Sequence, residues 1–354
     1  MNHLTKYLAG ATLTGAALVL MALLAISMFL GFLGELDHVG KGNYSLGMAF
    51  LTVLLEMPAL AYEMLPLAAL IGGLMGLGAL ASGSELIVMS AAGMSLWSIG
   101  RAVALAGTLL ASAAFVLGDW VAPWASLESE VVRYQSISGA RWDANKQDIW
   151  FRDGNRYVNV SKLAQERVNG RITTFDVDSD GKFSQIAVAA SADIEGKRWF
   201  LNDWRGVGFR RDEVLLREQP RQAWDTSLTP EMINLFAVAP QSFSSYELFQ
   251  YVRYLHDNRL DASVFEQALW RKAVVPVSIV LMCLLALPFV MGPLRDSGSG
   301  QRLVTGVVIG VVYFLANQLF RDSAQLYGLS PLFGAWGPTA VLAVITAFSL
   351  RFAR

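Results

Sequence analysis

Apolar and polar positions fall into long blocks along this chain. Leu8 to Gly34 is a run of 27 residues without a charge, and a helix needs about 20 apolar residues to cross a bilayer. The run exceeds the apolar part of a cleaved signal peptide, roughly 7 to 15 residues, so it is expected to stay attached as span 1. A polar loop, ELDHVGKGN, follows at 35–43. Ser45 to Ser82 is then almost wholly apolar. As one straight helix it would be roughly 55 Å long at about 1.5 Å per residue, too long for one crossing. Pro58 and Pro66 offer bends, which predicts an interfacial helix near 46–57 and span 2 near 62–82. Span 3 is expected from about Ala102 to Ala122. Later apolar runs predict span 4 at Ala273–Gly292 and span 5 at Leu303–Phe320. Span 6 starts near Ser330-Pro331, a cap followed by proline, and runs to Leu350.

The middle of the chain has a different rhythm. SLESEVVRYQ reads as a helical continuation of span 3. IWFR and RYVNV then flank Asp153-Gly154, a strong hairpin signal. Asn169-Gly170, Asp180-Gly181 and Glu195-Gly196 mark further turns, between RITTFDV, QIAVAAS and KRWFLNDW. Short strands at this spacing predict a β-sandwich or jelly roll. From Pro230 the pattern turns helical, including SSYELFQYVRYLHDN with Ser244 or Ser245 as N-cap. The expected fold class is a polytopic α-helical membrane protein with six transmembrane helices (3+3) and an inserted all-β, jelly-roll-like domain. The expected division is 1–123, 124–265 and 266–354.

Charge sharpens this division. Only 16% of the 354 residues are charged, against roughly 25% in ordinary soluble domains. Residues 124–265 hold 18 of the 28 Lys/Arg and 20 of the 29 Asp/Glu. Orientation follows from basic residues in short loops. Lys6, Arg101, Arg295, Arg302, Arg351 and Arg354 fall on one side, and Lys41 and Arg321 on the other. That asymmetry predicts cytoplasmic N- and C-termini and places the polar domain on the opposite face. The net charge of −1 lends no support to nucleic-acid binding.

Between spans 2 and 3 lies SGSELIVMSAAGMSLWSIGR, residues 82–101. Ser82-Gly83-Ser84-Glu85 fits a capping box. Leu86, Met89 and Ala92-Gly93 follow at helical spacing, and the helix is expected to stop near Gly93. Such a surface helix is either an ordinary amphipathic connector or the element through which a separate motor protein moves the spans. Gly72/Gly76 and Gly306/Gly310 are G-x-x-x-G pairs that admit close helix approach, within the chain or between subunits. Glu56 and Glu63 sit at the outer margin of span 2, where paired or snorkelling carboxylates are expected. Asn317 and Gln318 in span 5 fit packing contacts or a cavity lining.

Enzyme chemistry has little to stand on. The three Gly-Lys pairs are followed by Gly, Phe and Arg, so no P-loop is present. Neither H-E-x-x-H nor G-x-S-x-G occurs. The single cysteine, Cys283, allows no disulfide within the chain. The histidines are far apart, and no cofactor or metal site is expected.

PLAALIGGLMGLGALASGSELIVMSAAG (66–93), GDWVAPWASLESEVVRYQ (118–135) and ALPFVMGPLRDSGSGQR (286–302), in the 3+domain+3 layout, resemble the lipopolysaccharide-export permeases of the LptF/LptG family. The match spans essentially the whole chain. The VAP at 121–123 and GPLR at 292–295 lean toward the LptG branch, with the LptF branch as the alternative. The resemblance implies a non-catalytic subunit of an ATP-binding-cassette exporter in the cell inner membrane. It implies a paralogous permease (LptF type), a cytosolic ATPase dimer (LptB type), a single-span partner (LptC type) and a periplasmic bridge protein. It further implies that Glu85, with Leu86, Met89 and Gly93, couples to the ATPase. Basic residues near the outer end of span 1 and beyond span 3 hold lipopolysaccharide phosphates in this family. Arg133 fits the second position, where a solvated helix surface is the plainer reading. At the first, this chain reads GFLGELDHVGKG, and Lys41 and His38 are the nearest cations.

Two other readings explain less. A membrane-embedded enzyme requires an intramembrane carboxylate pair or serine, which is not evident. An envelope scaffold needs one anchoring span, not six.

Overall fold

The computed structural model describes residues 3–138, 149–160, 163–164, 167–168, 171–178, 182–195, 198–210, 213–226, 240–292 and 298–352. The chain divides into two compact units. The first comprises 1–138, 240–248 and 263–354, and the second comprises 139–239 and 249–262.

Among the described residues, six helical segments of the first unit are long and apolar enough to cross a membrane. Helix α1 is His3–Glu35, followed by a 3-10 turn at Leu36–His38. Helix α2 is Leu46–Ser82, with Pro58 and Pro66 inside it. The expected break into an interfacial helix and a span is not made. Its early turns are held by another helix: Ser129 Oγ donates to the Thr52 carbonyl at 3.3 Å. Proline is tolerated in long membrane helices where neighbouring helices re-satisfy the freed backbone groups.

The short α3 is Glu85–Ala91 and α4 is Leu96–Val116. A π turn at Leu117–Val121 leads into α5, Ala122–Ser138, so the helical continuation beyond span 3 is present. The π turn has a local cause. The Ala122 amide donates to the Leu117 carbonyl, and the partner five residues beyond Gly118 is Pro123, which has no N–H. The Gly118 carbonyl is instead taken by the Lys272 ammonium.

Helix α6 is Ser245–Asp257. Ser244 Oγ accepts from the Glu247 amide at 3.3 Å, and Glu247 Oε2 accepts from the Ser244 amide at 2.7 Å. This reciprocal pair is a capping box. The one expected at Ser82–Glu85 is not formed: Ser82 is still inside α2, and its hydroxyl donates to the Gly78 carbonyl at 2.8 Å. Ser84, before α3, is left-handed at φ 59° and makes no side-chain cap.

The last three spans are α7 (Ser263–Met291), α8 (Ser299–Leu326) and α9 (Pro331–Phe352). Residues 293–297 of the 286–302 stretch, which include Arg295, lie outside the described residues, as does Arg354. Ser278, Tyr313 and Thr339 join their hydroxyls across these three helices at 2.6 to 3.0 Å. Asn317 donates to the Tyr313 carbonyl of its own helix at 2.9 Å.

Helix α2 is central and packs against α1, α5, α7 and α8. Its buried Leu70, Leu74 and Leu77 meet Ile99 and Val103 of α4 and Ile279 and Met282 of α7 in one core. A Cβ on Gly72 would fall 2.2 Å from the Ala16 amide nitrogen, and one on Gly76 would fall 2.2 Å from the Ala11 carbonyl oxygen. Gly306 and Gly310 close on Ile71, Leu74 and Leu67 of α2. Both G-x-x-x-G pairs therefore serve contacts within the chain.

Among the described residues the second unit contains a nine-stranded antiparallel sheet, jelly-roll-like in character, whose shorter strands include β3 (Leu163–Ala164), β4 (Arg167–Val168) and β5 (Ile172–Val177). With the strands β1, β2 and β6 to β9 given below, the order is β1-β2-β5-β6-β8-β7-β4-β3, with β9 also paired to β8. Strands β1 (Ile149–Asp153) and β2 (Arg156–Val160) form the expected hairpin. Asp153 pairs with Arg156, so the two-residue turn is Gly154-Asn155, one position later than expected. Gly154 has φ +60°, the conformation glycine supplies at the first central position of such a turn. The long β8 (Arg198–Arg210) pairs with β7 (Ser191–Glu195) through Asn202 and with β6 (Phe183–Ala189) from Arg205 onward. The change of partner falls at Asp203, which is left-handed at φ 51°. Pro220 lies at the matching point of β9 (Glu213–Asp225), where no ladder pairing is made. The other expected turns, at Asn169-Gly170, Asp180-Gly181 and Glu195-Gly196, lie wholly or partly outside the described residues.

Trp199, buried completely, meets Trp224 edge-on, and Trp224 stacks on Phe151. Trp224 Nε1 donates to Asp153 Oδ2 at 3.1 Å. The C-terminal part of α6 closes on the β1–β2 turn: the Gly154 amide donates to Asn258 Oδ1 at 2.6 Å, and the Tyr254 hydroxyl donates to the Arg152 carbonyl. Burial pushes the Tyr251 phenol up to about 12 and the Tyr254 phenol higher still.

Candidate functional site

Two places in the membrane unit gather the residues singled out by the sequence. The first is α3. Its seven residues are too few to be stable alone, so the helix depends on packing. Leu86 and Met89 turn inward and join the core formed by the long helices. Glu85 is half-buried and interacts with the Tyr7 hydroxyl of α1. Val88 is 65% exposed, and Ser90 to Gly93 are exposed. Gly93 at φ +93° ends the helix, and the Met94 amide returns to the Met89 carbonyl at 3.0 Å. This geometry makes a surface-facing knob whose underside packs into the core with spans 2 and 3.

The second place lies where α1 ends and α2 begins. Arg133 of α5 donates from Nη2 to Glu35 Oε1 and to Glu56 Oε1, each at 2.7 Å. The Tyr44 hydroxyl donates to Glu35 Oε2 at 2.7 Å and lies 3.1 Å from Thr52 Oγ1. Ser129 Oγ donates to Glu56 Oε1 at 3.1 Å. Burial pushes the Tyr44 phenol up, and the Glu35 carboxylate adds to the effect. His38 packs edge-on against Tyr44. Its Nδ1 and the Nε of Arg133 are buried without hydrogen-bond partners among the described residues.

Lys41 is exposed on the loop between α1 and α2. That loop is pinned to the end of α5: the Asn43 amide donates to the Ser136 carbonyl at 2.7 Å. Gly42 at φ +59° sits where a Cβ would fall 2.2 Å from the Ile137 carbonyl oxygen. The structure thus gathers Arg133, His38 and the Lys41 loop at one end of the first three spans. Glu85, Leu86, Met89 and Gly93 form a separate group.

Sequence reasoning gave Glu56 and Glu63 as paired or snorkelling carboxylates, and both are paired, Glu56 with Arg133 and Glu63 with Arg271 at 3.4 Å. It missed Glu35, Tyr44 and Ser129 as partners of the Arg133 region. No local pattern links residues so far apart, although a carboxylate at the end of an apolar run is a signal that a counter-charge is needed. It also missed Lys272 on the Gly118 carbonyl, for which Pro123 was the available sign.

Comparison with known proteins agrees with this architecture. The family model for "Lipopolysaccharide export system permease LptF/LptG" matches residues 6–351. The "Lipopolysaccharide export system permease protein LptG" of Haemophilus influenzae is 30% identical over 347 residues, covering 98% of this chain and 97% of that protein. The protein of the same name from Escherichia coli K12 is 30% identical over 350 residues, with the same two coverages. The LptF alternative is not favoured, since the relatives carry the LptG name. Six apolar helices and a permease family make this a multi-pass inner-membrane protein and a transporter subunit, not an enzyme. With the family model matching nearly end to end, the chain belongs to the lipopolysaccharide export system permease LptF/LptG family.

Proposed function

We propose that this chain is one half of the transmembrane part of an ATP-driven exporter that extracts lipopolysaccharide from the inner membrane. An LptF-type paralogue supplies the other half, and an LptB-type ATPase dimer supplies the hydrolysis. Residues 1–123 and 266–354 form the membrane part, with α5 leading out of the bilayer. Residues 124–265 form a periplasmic domain that hands lipid to a bridge protein, and an LptC-type single-span partner contacts the spans. Both termini are cytoplasmic, and α3 faces the ATPase.

One observation carries this reading. Leu86 and Met89 clamp α3 to the core, while Glu85 and Val88 lie at its accessible side. A push on such a knob moves spans 2 and 3 as a body. Glu85 is the charged contact, Leu86 and Met89 transmit, and Gly93 sets where the helix stops. Arg133, Lys41 and His38 would receive lipid phosphates at the other end. Arg133 has five N–H donors, and its carboxylate contacts use Nη2. An arriving phosphate finds donors in reserve.

The test is copurification of the ATPase with the full permease pair, together with release of lipopolysaccharide from reconstituted vesicles. Glu85→Lys should abolish ATPase binding and lipid release together. Arg133→Glu should slow release, read per assembled complex because the substitution also breaks the Glu35 and Glu56 pairs. ATPase binding that survives Glu85→Lys unchanged would remove the coupling role from α3. Wild-type release in Arg133→Glu would remove the phosphate contact.

A further inference from the structure

A cavity of about 520 Å³ opens between α4, α7 and α9. Its walls include Leu96, Ala104, Leu284 and Ala347, which are apolar, and its rim carries Arg101, Arg351 and Trp97. It lies at the first turns of α4, directly after α3, and at the last turns of α9. Trp97 is 71% exposed. Among the described residues Arg101 reaches the Ser98 hydroxyl at 3.5 Å, and neither arginine is paired with a carboxylate.

We propose that this groove binds one anionic phospholipid, its acyl chain between the helices and its headgroup phosphate between Arg101 and Arg351. Three features select that occupant. The groove is apolar, as an acyl chain requires, and lies between helices that cross the membrane. Two guanidinium groups that pair with no carboxylate among the described residues stand at its mouth, complementary to an anionic headgroup. Basic pockets between membrane helices bind anionic lipids in this way. An exposed tryptophan beside them matches the interfacial position where its amphipathic ring is favoured. The site is separate from α3 and from the Arg133 region. It would tie the start of α4, next to the proposed coupling helix, to the ends of α7 and α9.

The test is native mass spectrometry of the full-length protein, reconstituted with phosphatidylglycerol and phosphatidylcholine in equal amounts and extracted in mild detergent. Phosphatidylglycerol should be retained over phosphatidylcholine, and added inorganic phosphate should not displace it. Arg101→Gln/Arg351→Gln should lower retention about thirtyfold, about fivefold for each arginine. Arg101→Lys/Arg351→Lys should keep most of it, which guards against a folding defect. Ala347→Trp, which fills the groove and leaves both charges, should also lose the lipid. Equal retention of the two lipids would overturn the proposal, as would unchanged retention in the glutamine pair. So would displacement by phosphate alone, or a protein subunit occupying the groove in lipid's place.

Discussion

Arg133 and Glu35, 98 positions apart in the chain, share a 2.7 Å hydrogen bond that fastens α5 to the end of α1. Glu56 on α2 takes a second bond from the same nitrogen. One guanidinium thus holds three helices together at the end of α1. Glu35 is largely buried, with 11% of its side chain exposed, while Arg133 keeps 28%.

Removing the cation therefore strands a buried carboxylate. Arg133→Ala should destabilise the detergent-solubilised protein by about 1–2 kcal/mol, less than a fully buried pair because the arginine is partly solvated. Glu35→Gln in the Arg133→Ala background should recover part of that loss. Thermal unfolding of the four proteins in the cycle checks it. Strictly additive effects would show that the two residues are not coupled.

Close approach of α1 and α2 rests on missing side chains. Gly72→Ala puts a methyl group 2.2 Å from the Ala16 backbone nitrogen. Overpacking of this sort costs about 1–3 kcal/mol. Gly10→Ala on α1 meets nothing within 4 Å and should be silent. Thermal stability and the amount of protein in the membrane fraction should separate these two substitutions clearly.

The π turn predicts a rescue. Lys272→Met leaves the Gly118 carbonyl unsatisfied, at a cost of about 1–3 kcal/mol. Pro123→Ala restores an N–H five residues beyond Gly118, so adding it should return part of the lost stability. A double variant no more stable than Lys272→Met would show that proline does not cause the lysine contact.

Alkali should loosen the β unit. The Tyr251 and Tyr254 phenols ionise later in the folded state than the ordinary value of 10.0. The folded state therefore binds protons more tightly than the unfolded one in this range. Their contribution is complete below pH 10 and falls as pH rises toward about 12 and beyond. Tryptophan fluorescence should report unfolding over that window, with a shallower loss in Tyr251→Phe. Identical pH profiles for the two proteins would exclude this residue as a source.

The six apolar runs were legible because a bilayer imposes length and composition on any segment that crosses it. The β insert was legible from its charge density and its Asp153-Gly154 turn. Prolines misled at 58 and 66: read as dividing an interfacial helix from span 2, they lie inside one helix. Two Ser-x-x-Glu segments matched the same capping motif. Ser244–Glu247 forms it and Ser82–Glu85 does not, because helix α2 extends through Ser82. The Glu35–Arg133–Glu56 contact was illegible for a simpler reason, since its members come from three different helices.

Everything proposed for α3 requires that it face the compartment opposite to the β unit. The direct measurement is cysteine labelling of intact and permeabilised spheroplasts, in a Cys283→Ser background that removes the single native thiol. Val88→Cys and Leu216→Cys place the probe at positions 65% and 70% exposed. The account predicts that a membrane-impermeant maleimide reaches Leu216→Cys in intact spheroplasts and Val88→Cys only after permeabilisation. Equal labelling of both positions in intact spheroplasts would contradict it.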